Sequence, residues 1–327
     1  MLVLTDKDIK SVLTISDVIK CIEESFTIHG KGETLTAPVV SLPIKGESLI
    51  MAMPAAIRPL NVAGLKWVAY YRYNEEEHGL PTHLSTIFLN DALNAAPLAV
   101  MDGNWITAIR TGAVSAVGVE YLAKRDSKVI GIIGAGVQAR SNLLALNHLL
   151  HIDIVKVTSR REESRRQFAE EMHEMLGLNV IPMEKADAVV EGSDIVVSAS
   201  PASYPYVRNE KAKKGVLVVT LGSHIQTDVS FPRSVDKIVV DDLEGFYPAG
   251  IGHFAEYVRM GIVAKEDVYA KFGEIVVGNK VGRISDDERI WFSHAGMAIH
   301  DVIVGYRVYK KALEKGIGQN AGDFLGK

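Results

Sequence analysis

A strand, a glycine-rich turn and a helix follow one another near the middle of this sequence, and they constrain its fold more than any other feature. The apolar run 129–133 is typical of a strand that is buried on both faces. Gly134 permits a tight turn, Gly136 allows a ligand to approach the backbone, and Ala139 takes the third small position of the pattern G-x-G-x-x-G/A. The helical stretch 138–150 follows, so its first N–H groups could bind a dinucleotide pyrophosphate. This order of elements predicts a nucleotide site.

The chain after this turn alternates strand-like and helical stretches. Such alternation is typical of a doubly wound parallel sheet. We expect the alternation to end near Ser293, after which the sequence predicts helix through Lys315. The predicted strands after the glycine turn are 154–158, 179–182, 194–198, 216–221 and 238–241.

The chain before the glycine turn has a different pattern, in which short alternating apolar runs are separated by turn residues. The spacing of these runs, without helices between them, predicts an antiparallel and partly open sheet. Two short helices precede it, with Thr5 and Ser16 as expected N-caps, and a helix over 106–122 leads into the glycine turn. The predicted strands are 39–42, 48–53, 65–71, 85–89 and 97–101.

Length and charge narrow the class of protein. A chain of 327 residues favours two domains, and a net charge of −4 without a basic stripe argues against a nucleic-acid partner. No apolar run approaches the roughly 20 residues of a membrane span. The single cysteine, Cys21, is expected to pack in the core, which is consistent with a reducing compartment. We therefore expect a cytoplasmic protein that contacts neither nucleic acid nor membrane.

The end of the second strand of the alternating region bears on the choice of dinucleotide. NAD sites place an acid there for the ribose 2′-OH, whereas NADP sites place arginine and hydroxyl groups there for the 2′-phosphate. Here the strand is followed by Ser159, Arg160 and Arg161, and the first acid is Glu162. The sequence thus favours NADP(H) over NAD(H), which stays possible because paired arginines can also be a solvated helix face.

Three residues outside the turn are candidates for substrate chemistry. Lys66 lies in an apolar strand-like run, where a buried cation needs an anion or must lose its proton. Arg110, near the start of a predicted helix, could clamp a carboxylate. His224 follows a buried strand at its carboxyl end and could act as acid or base. The alternatives are an exposed lysine, a structural arginine and a loop histidine.

The other histidines give no sign of a metal site. They lack the spacing of metal ligands, and we interpret them as structural and predict no metal. These residues are His83, His253, His294 and His300.

Several motifs in this order resemble the ornithine cyclodeaminase/mu-crystallin family, and the resemblance covers nearly the whole chain. The motifs that carry it are Gly64-Leu65-Lys66-Trp67-Val68, Gly79-Leu80-Pro81-Thr82, Pro97-Leu98-Ala99-Val100-Met101-Asp102, Thr107-Ala108-Ile109-Arg110-Thr111-Gly112-Ala113, the glycine turn, and Gly282-Arg283-Ile284-Ser285-Asp286-Asp287-Glu288.

The resemblance implies an α/β protein with a Rossmann doubly wound parallel sheet over 123–296. A smaller α+β domain, over 1–122 and 297–327, would be completed by the C-terminal helix, bind the substrate and form the interface of a homodimer. Lys66 looks like the family's substrate lysine, Arg110 like its carboxylate-binding arginine, and Thr82 would line the same pocket.

Two departures from the family pattern matter. The family often has Pro-Arg where this sequence has Pro38-Val39, so one carboxylate donor is missing. His224 stands where cyclodeaminases and related alanine dehydrogenases have aspartate, and histidine cannot replace a permanent carboxylate. Both this loss and the arginines after the second strand favour reduction over cyclodeamination.

The sequence therefore predicts an NAD(P)H-dependent oxidoreductase that acts on the C–N bond of a small amino or imino acid, such as the cyclic ketimine Δ1-pyrroline-2-carboxylate. The alternatives are an ornithine cyclodeaminase, an alanine-dehydrogenase-like enzyme, and a non-catalytic NADPH-binding protein like mu-crystallin. Lys66, His224 and Arg110 are the expected catalytic residues. The expected cofactor-binding residues are Gly134, Ala135, Gly136, Val137, Gln138, Ser159, Arg160, Arg161 and Ser200.

Overall fold

A computed structural model describes residues 1–46, 48–201, 204–222 and 225–322 of the chain. The chain divides into two compact units, Met1–Arg110 with Met297–Lys327, and Thr111–Gly296. The first segment of unit one thus ends inside a helix at Arg110, not at residue 122 as expected from the sequence.

The part of the chain before residue 123 carries most of the first unit. Its two opening helices begin after threonine caps, and the side chain of each threonine accepts a hydrogen bond from the backbone three residues on. The cap of the second helix is Thr14, not Ser16 as expected. The strands are β1 (Leu2–Leu4), β2 (Thr34–Thr36), β3 (Val40–Lys45), β4 (Ser48–Ile57), β5 (Val62–Tyr70), β6 (His83–Asp91) and β7 (Pro97–Asp102). The helices are α1 (Asp6–Val12), α2 (Ile15–Gly30), α3 (Asn74–His78) and α4 (Asn104–Leu122).

The second unit alternates strands and helices. The strands are β8 (Val129–Ile133), β9 (Ile154–Thr158), β10 (Val180–Pro182), β11 (Ile195–Ser198), β12 (Leu217–Leu221), β13 (Lys237–Val240), β14 (Val268–Lys271) and β15 (Ile290–His294). The helices are α5 (Val137–Leu149), α6 (Glu162–Leu176), α7 (Ala186–Val190), α8 (His253–Arg259) and α9 (Phe272–Val276).

The strands of the second unit form one parallel sheet in the order β10-β9-β8-β11-β12-β15-β13-β14. This sheet confirms the predicted doubly wound fold. The expectation of helix from Ser293 was wrong, because β15 continues to His294 between β12 and β13. All five residues of β15, Ile290-Trp291-Phe292-Ser293-His294, are buried, and so short a buried run lacks the periodicity that distinguishes a strand from a helix.

The chain then returns to the first unit through α10 (Ala298–Lys315) and β16 (Gln319–Asn320). The first sheet has the order β16-β1-β7-β6-β5-β4-β2, with β3 also paired to β4. Its neighbouring strands are antiparallel except for β1 and β7. Helix α10 packs on α2 and across β4, β5 and β6, so one face of this sheet is covered.

The late motif 282–288 has a structural role within the second unit. The backbone N–H of Arg283 donates to the Tyr121 carbonyl, and its Nε donates to the Leu122 carbonyl at 2.8 Å. These are terminal carbonyls of α4 that have no partner within the helix. The motif therefore caps α4. None of the helices in the described part of the chain is long and apolar enough to cross a membrane.

Candidate functional site

The two glycines of the central turn have different surroundings. Gly134, directly after β8, has φ +110°, and a Cβ there would lie 2.8 Å from the carbonyl oxygen of Ala199. Gly136 caps α5 without a side-chain hydrogen bond, and a Cβ there would meet nothing within 4 Å. Gly134 is thus required by the fold, whereas Gly136 leaves open space over the N-terminus of α5. This geometry fits the pyrophosphate of a dinucleotide.

The turn lies at the switch point of the parallel sheet, between β8 and β11. Gly134 donates a backbone hydrogen bond to Thr158 at the end of β9, and Ala199 after β11 donates one to Ile133, both at 2.8 Å. The carboxyl ends of β8, β9 and β11 are therefore joined edge to edge. Open α/β sheets bind ligands at this edge.

The predicted 2′-phosphate residues follow β9 at the same edge. Arg160 and Arg161 are exposed, and no ion pair holds either of them within the described residues. Ser159 is half-buried, and its hydroxyl donates to the Arg161 carbonyl at 2.8 Å. Glu162, the first acid after the strand, pairs with Arg166 at 2.7 Å. In the described part of the chain, two arginines without an ion pair thus follow β9, and the first acid after them is already paired.

The remaining predicted cofactor residues also lie at this edge. Val137 and Gln138 open α5, and the Ala135 carbonyl accepts a hydrogen bond from the Arg140 guanidinium, which also pairs with a glutamate of α6. The Ser200 carbonyl, after β11, accepts one from a glutamine side chain at 2.6 Å. His224 follows β12 and lies outside the described residues.

The other predicted residues meet in the first unit, around an acid that the sequence analysis missed. Lys66 lies on the covered face of β5, and its Nζ is 2.9 Å from Oδ2 of Asp301 on α10. Arg110, in the second turn of α4 rather than near its start, has Nε 3.1 Å from Oδ1 of the same carboxylate. The side chains are 2%, 5% and 0% exposed for Lys66, Arg110 and Asp301, so all three charges are buried.

This cluster has an excess of positive charge. Two cations share one anion, which leaves one net positive charge in a buried site. Nη1 of Arg110 is buried and has no hydrogen-bond partner within the described residues. Burial and the Arg110 charge lower the pKa of Lys66 to about 8, against the opposing effect of Asp301. An anion with acceptor oxygens would balance this charge and accept a hydrogen bond from Nη1.

Gly64 explains how α10 brings Asp301 close to Lys66. Both Gly64 and Lys66 face α10, because alternate residues of a strand share a face. A Cβ at Gly64 would lie 2.9 Å from the Val302 side chain and 2.8 Å from the Phe88 carbonyl. The helix can approach β5 this closely only where the strand has no side chain.

A signal for Asp301 was present in the sequence. It is an acid within an apolar stripe of α10 whose members include Ile299, Val302 and Ile303, all buried. A buried acid and a buried lysine in two apolar runs must find partners, so the two could have been paired.

The other predicted positions are less informative. Thr82 is half-buried in the bend before β6, and its carbonyl accepts from the Tyr71 N–H at 2.9 Å. It is one position out of step with the β6 residues that face the same side as Lys66. Val39, which replaces the arginine common in the family, is buried.

The histidines interpreted as structural divide into two groups. His300 is buried with Nδ1 2.7 Å from Ser25, His294 has Nε2 2.9 Å from Ser115, and the Nε2 of buried His253 accepts from a backbone N–H at 3.3 Å. His83 departs from the expectation, because it is exposed and no side-chain hydrogen bond is formed by it within the described residues. Among the described residues, no cluster of three or more potential ligands could hold a metal ion.

Comparison with known proteins gives the family. The model of the ornithine cyclodeaminase/mu-crystallin family matches residues 1–316. An alanine dehydrogenase of Archaeoglobus fulgidus is 35% identical over 323 residues, which are 97% of each chain. The solved Δ1-pyrroline-2-carboxylate reductase of Thermococcus litoralis, in complex with NADH and L-proline, is 33% identical with a TM-score of 0.92 over 98% of this chain and 100% of that one.

A solved archaeal alanine dehydrogenase dimer with bound NAD is also 33% identical, with a TM-score of 0.93 over 99% of both chains. The similarity extends through both units, and the range matched by the family model, residues 1–316, contains the positions of all the motifs. The chain belongs to the ornithine cyclodeaminase/mu-crystallin family.

Proposed function

We propose that this protein is a nicotinamide-dependent reductase of a small imino acid such as Δ1-pyrroline-2-carboxylate, and that it also runs in reverse as an amino-acid dehydrogenase. The observation that carries the proposal is the buried cluster of Lys66, Arg110 and Asp301, with its net positive charge and unpaired guanidinium nitrogen. The carboxylate of an amino or imino acid would supply the missing anion and its acceptor oxygens.

Each member of the cluster would have a separate task. Arg110 would bind the substrate carboxylate through the nitrogens that Asp301 does not use, and Lys66 would bind it as a second cation or exchange a proton with the substrate nitrogen. Asp301 holds both cations in place. The nicotinamide would supply or accept the hydride, while these side chains orient the substrate. His224 stays a candidate for proton exchange.

The glycine turn would hold the cofactor. Gly136 and the free N–H groups at the start of α5 fit its pyrophosphate, and Ala135, Val137, Gln138 and Ser200 lie around the same edge. We propose NADP(H) as the preferred form, because exposed Arg160 and Arg161 suit a 2′-phosphate and Glu162 is already paired.

Cofactor preference is tested by titrating the protein with NADPH and NADH. We expect NADPH to bind more tightly, and Arg160→Gln to weaken its binding by about 10- to 100-fold through loss of a charge-assisted contact. NADH binding should change little. The matched control is Arg125→Gln, an exposed arginine away from this edge. Equal effects of Arg160→Gln on both cofactors would contradict the assignment.

The reaction is tested by oxidation of NADPH and NADH with Δ1-pyrroline-2-carboxylate. We expect turnover with the cyclic imine, and loss of at least about 100-fold in kcat/KM for Arg110→Met but not for Arg125→Met. Pyruvate plus ammonia is the second substrate to test, because the 35% identical relative is an alanine dehydrogenase. Ammonia release from ornithine without net change in the cofactor would instead support a cyclodeaminase.

We also propose a homodimer that forms through the open face of the first sheet. The face opposite α10 carries exposed apolar residues in adjacent rows, including Val40, Leu42, Trp67 and Phe88. An exposed apolar patch of this kind marks an interface, and the solved alanine dehydrogenase relative is described as a dimer. We expect Leu42→Glu to shift the mass in light scattering from dimer to monomer. Leu93→Glu, at a more exposed leucine in a turn, is the control.

A further inference from the structure

The register of the first sheet places His83 on the face that carries the charged cluster. Lys66 pairs with Ile87, and Tyr70 pairs with His83, in the antiparallel ladder of β5 and β6. Because alternate residues share a face of a strand, His83 lies on the same face as Lys66 and Ile87. The ring of His83 also packs against Tyr70, with centroids 4.9 Å apart.

The same face continues from His83 toward Arg110. Ser85 follows His83 on this face of β6, and its hydroxyl lies 3.2 Å from that of Thr107 on α4. Thr107 and Arg110 are three residues apart, so they lie on the same side of α4. A row of polar groups therefore leads from the buried cations to the exposed imidazole.

The electrostatic environment of His83 supports this placement. Although one side of His83 is open to solvent, desolvation by the protein atoms packed around its ring and then the charge of Lys66 lower the pKa of His83 below the ordinary histidine value. The charged groups that surround this face are Lys66 on β5, Arg110 on α4 and Asp301 on α10. Tyr70 is the titratable group on the neighbouring strand. The charge of Lys66 therefore disfavours a protonated imidazole at His83.

We propose that His83 is an acid–base residue of the substrate site, exchanging a proton with the substrate nitrogen. The inference rests on the proposed function. His83 is accessible to a solute and has both ring nitrogens free of side-chain hydrogen bonds within the described residues, whereas buried Lys66 is held by Asp301. A substrate whose carboxylate meets Arg110 and Lys66 would present its nitrogen along this face.

The proposed proton transfer is coupled to reduction of the imine. In reduction, the protonated imidazole gives its proton to the imine nitrogen, and the imine carbon gains a hydride from the reduced nicotinamide. The C=N double bond becomes a C–N single bond, the cofactor is oxidised, and the imidazole is left neutral. In the reverse direction the neutral imidazole accepts a proton from the amino group.

The kinetic test compares the pH dependence of the wild type, His83→Gln and His148→Gln. His148 is an exposed histidine of α5 in the second unit and serves as the control. We expect His83→Gln to lower kcat/KM by about 100-fold and to remove the rise of amino-acid oxidation with pH that the wild type shows. An unchanged rate and an unchanged pH profile in His83→Gln would overturn the inference.

A second test does not depend on activity. Histidine side-chain resonances are followed by NMR over pH in the wild type and in Lys66→Met. The resonance that is missing in His83→Gln should titrate below the ordinary histidine range, and it should titrate at higher pH when the Lys66 charge is removed. A titration that Lys66→Met does not move would show that His83 does not face Lys66, and would overturn the inference.

The outcomes separate the two proposals. A wild type that reduces none of the imino acids would overturn the proposed function, and with it the role of His83. An active wild type with an equally active His83→Gln variant would overturn the role of His83 alone.

Discussion

In the second unit, the carboxyl ends of β8, β9 and β11 form the edge proposed to bind the dinucleotide, called here the nucleotide edge. This edge and the charged cluster of the first unit, Lys66, Arg110 and Asp301, are built in opposite ways. The glycine turn is local, because β8, the turn and the start of α5 are contiguous in the chain. The cluster joins three separate elements, and Arg110 and Asp301 alone are 191 residues apart. At the proposed nucleotide edge the backbone would supply the binding groups, whereas in the cluster charged side chains would do so.

This difference predicts different responses to substitution. Where backbone groups bind the ligand, a substitution should weaken ligand binding without unfolding the protein, provided that the new side chain has free space. A buried charge cluster should lose stability when one member is removed, because the remaining charges cannot be solvated.

The largest effect is expected for Asp301→Asn. It leaves Lys66 and Arg110 buried without their shared anion, and we expect the free energy of unfolding to fall by about 3–5 kcal/mol. Urea denaturation measures the change. Asp6→Asn, which breaks an exposed ion pair with Lys10, is the control and should cost less than about 1 kcal/mol. Equal small losses in both variants would mean that the cluster is not a stability-determining site.

A smaller effect is expected in the pH dependence of stability. The pKa of Lys66 is lowered from 10.5 to about 8 in the folded state. Above pH 8 the folded protein therefore binds fewer protons than the unfolded chain, and stability should rise with pH between about 8 and 10.5. The gain is on the order of 3 kcal/mol.

This gain is measured by urea denaturation over that pH range, as the difference between the wild type and Lys66→Met. Lys20→Met, at an exposed lysine of α2, should follow the wild type. A difference that does not vary with pH would contradict the lowered pKa. Substrate-like carboxylates should stabilise the wild type most below pH 8, where Lys66 is charged.

The smallest effect on stability is expected at the nucleotide edge. Gly136→Ala adds a methyl group into open space, so the melting temperature should stay within about 2 °C of the wild type. Dinucleotide binding should weaken about tenfold, because the methyl group stands where the pyrophosphate approaches. Gly134→Ala, which meets the Ala199 carbonyl, should instead destabilise the fold. Similar effects of the two substitutions on stability would remove the distinction between the two glycines.

The same contrast explains what could be predicted from the sequence. The glycine turn and the parallel sheet around it have local signals, since turn residues and buried strands are recognised within short windows. The need of Lys66 for an anion could also be predicted, because burying an unpaired charge in an apolar strand costs free energy. Which residue supplies that anion has no local signal in the sequence near Lys66, and Asp301 was therefore not predicted.

The error at β15 has the same origin. β15 is a central strand inserted between β12 and β13, and only this tertiary position distinguishes its short buried run from the start of a helix. That His83 shares a face with Lys66 likewise depends on the register of β6 with β5. Such pairings are decided by long-range packing, which one sequence does not reveal.

The position of Asp301 on α10 also has a consequence for the nascent chain. Translation supplies Lys66 and Arg110 early, then all of residues 111–296, and only afterwards the helix that carries their anion. At about 5–20 residues per second, the ribosome takes on the order of ten seconds to cover that interval. The second unit can therefore fold first. Until α10 leaves the ribosome, Lys66 and Arg110 stay solvated and the first sheet is not covered by that helix.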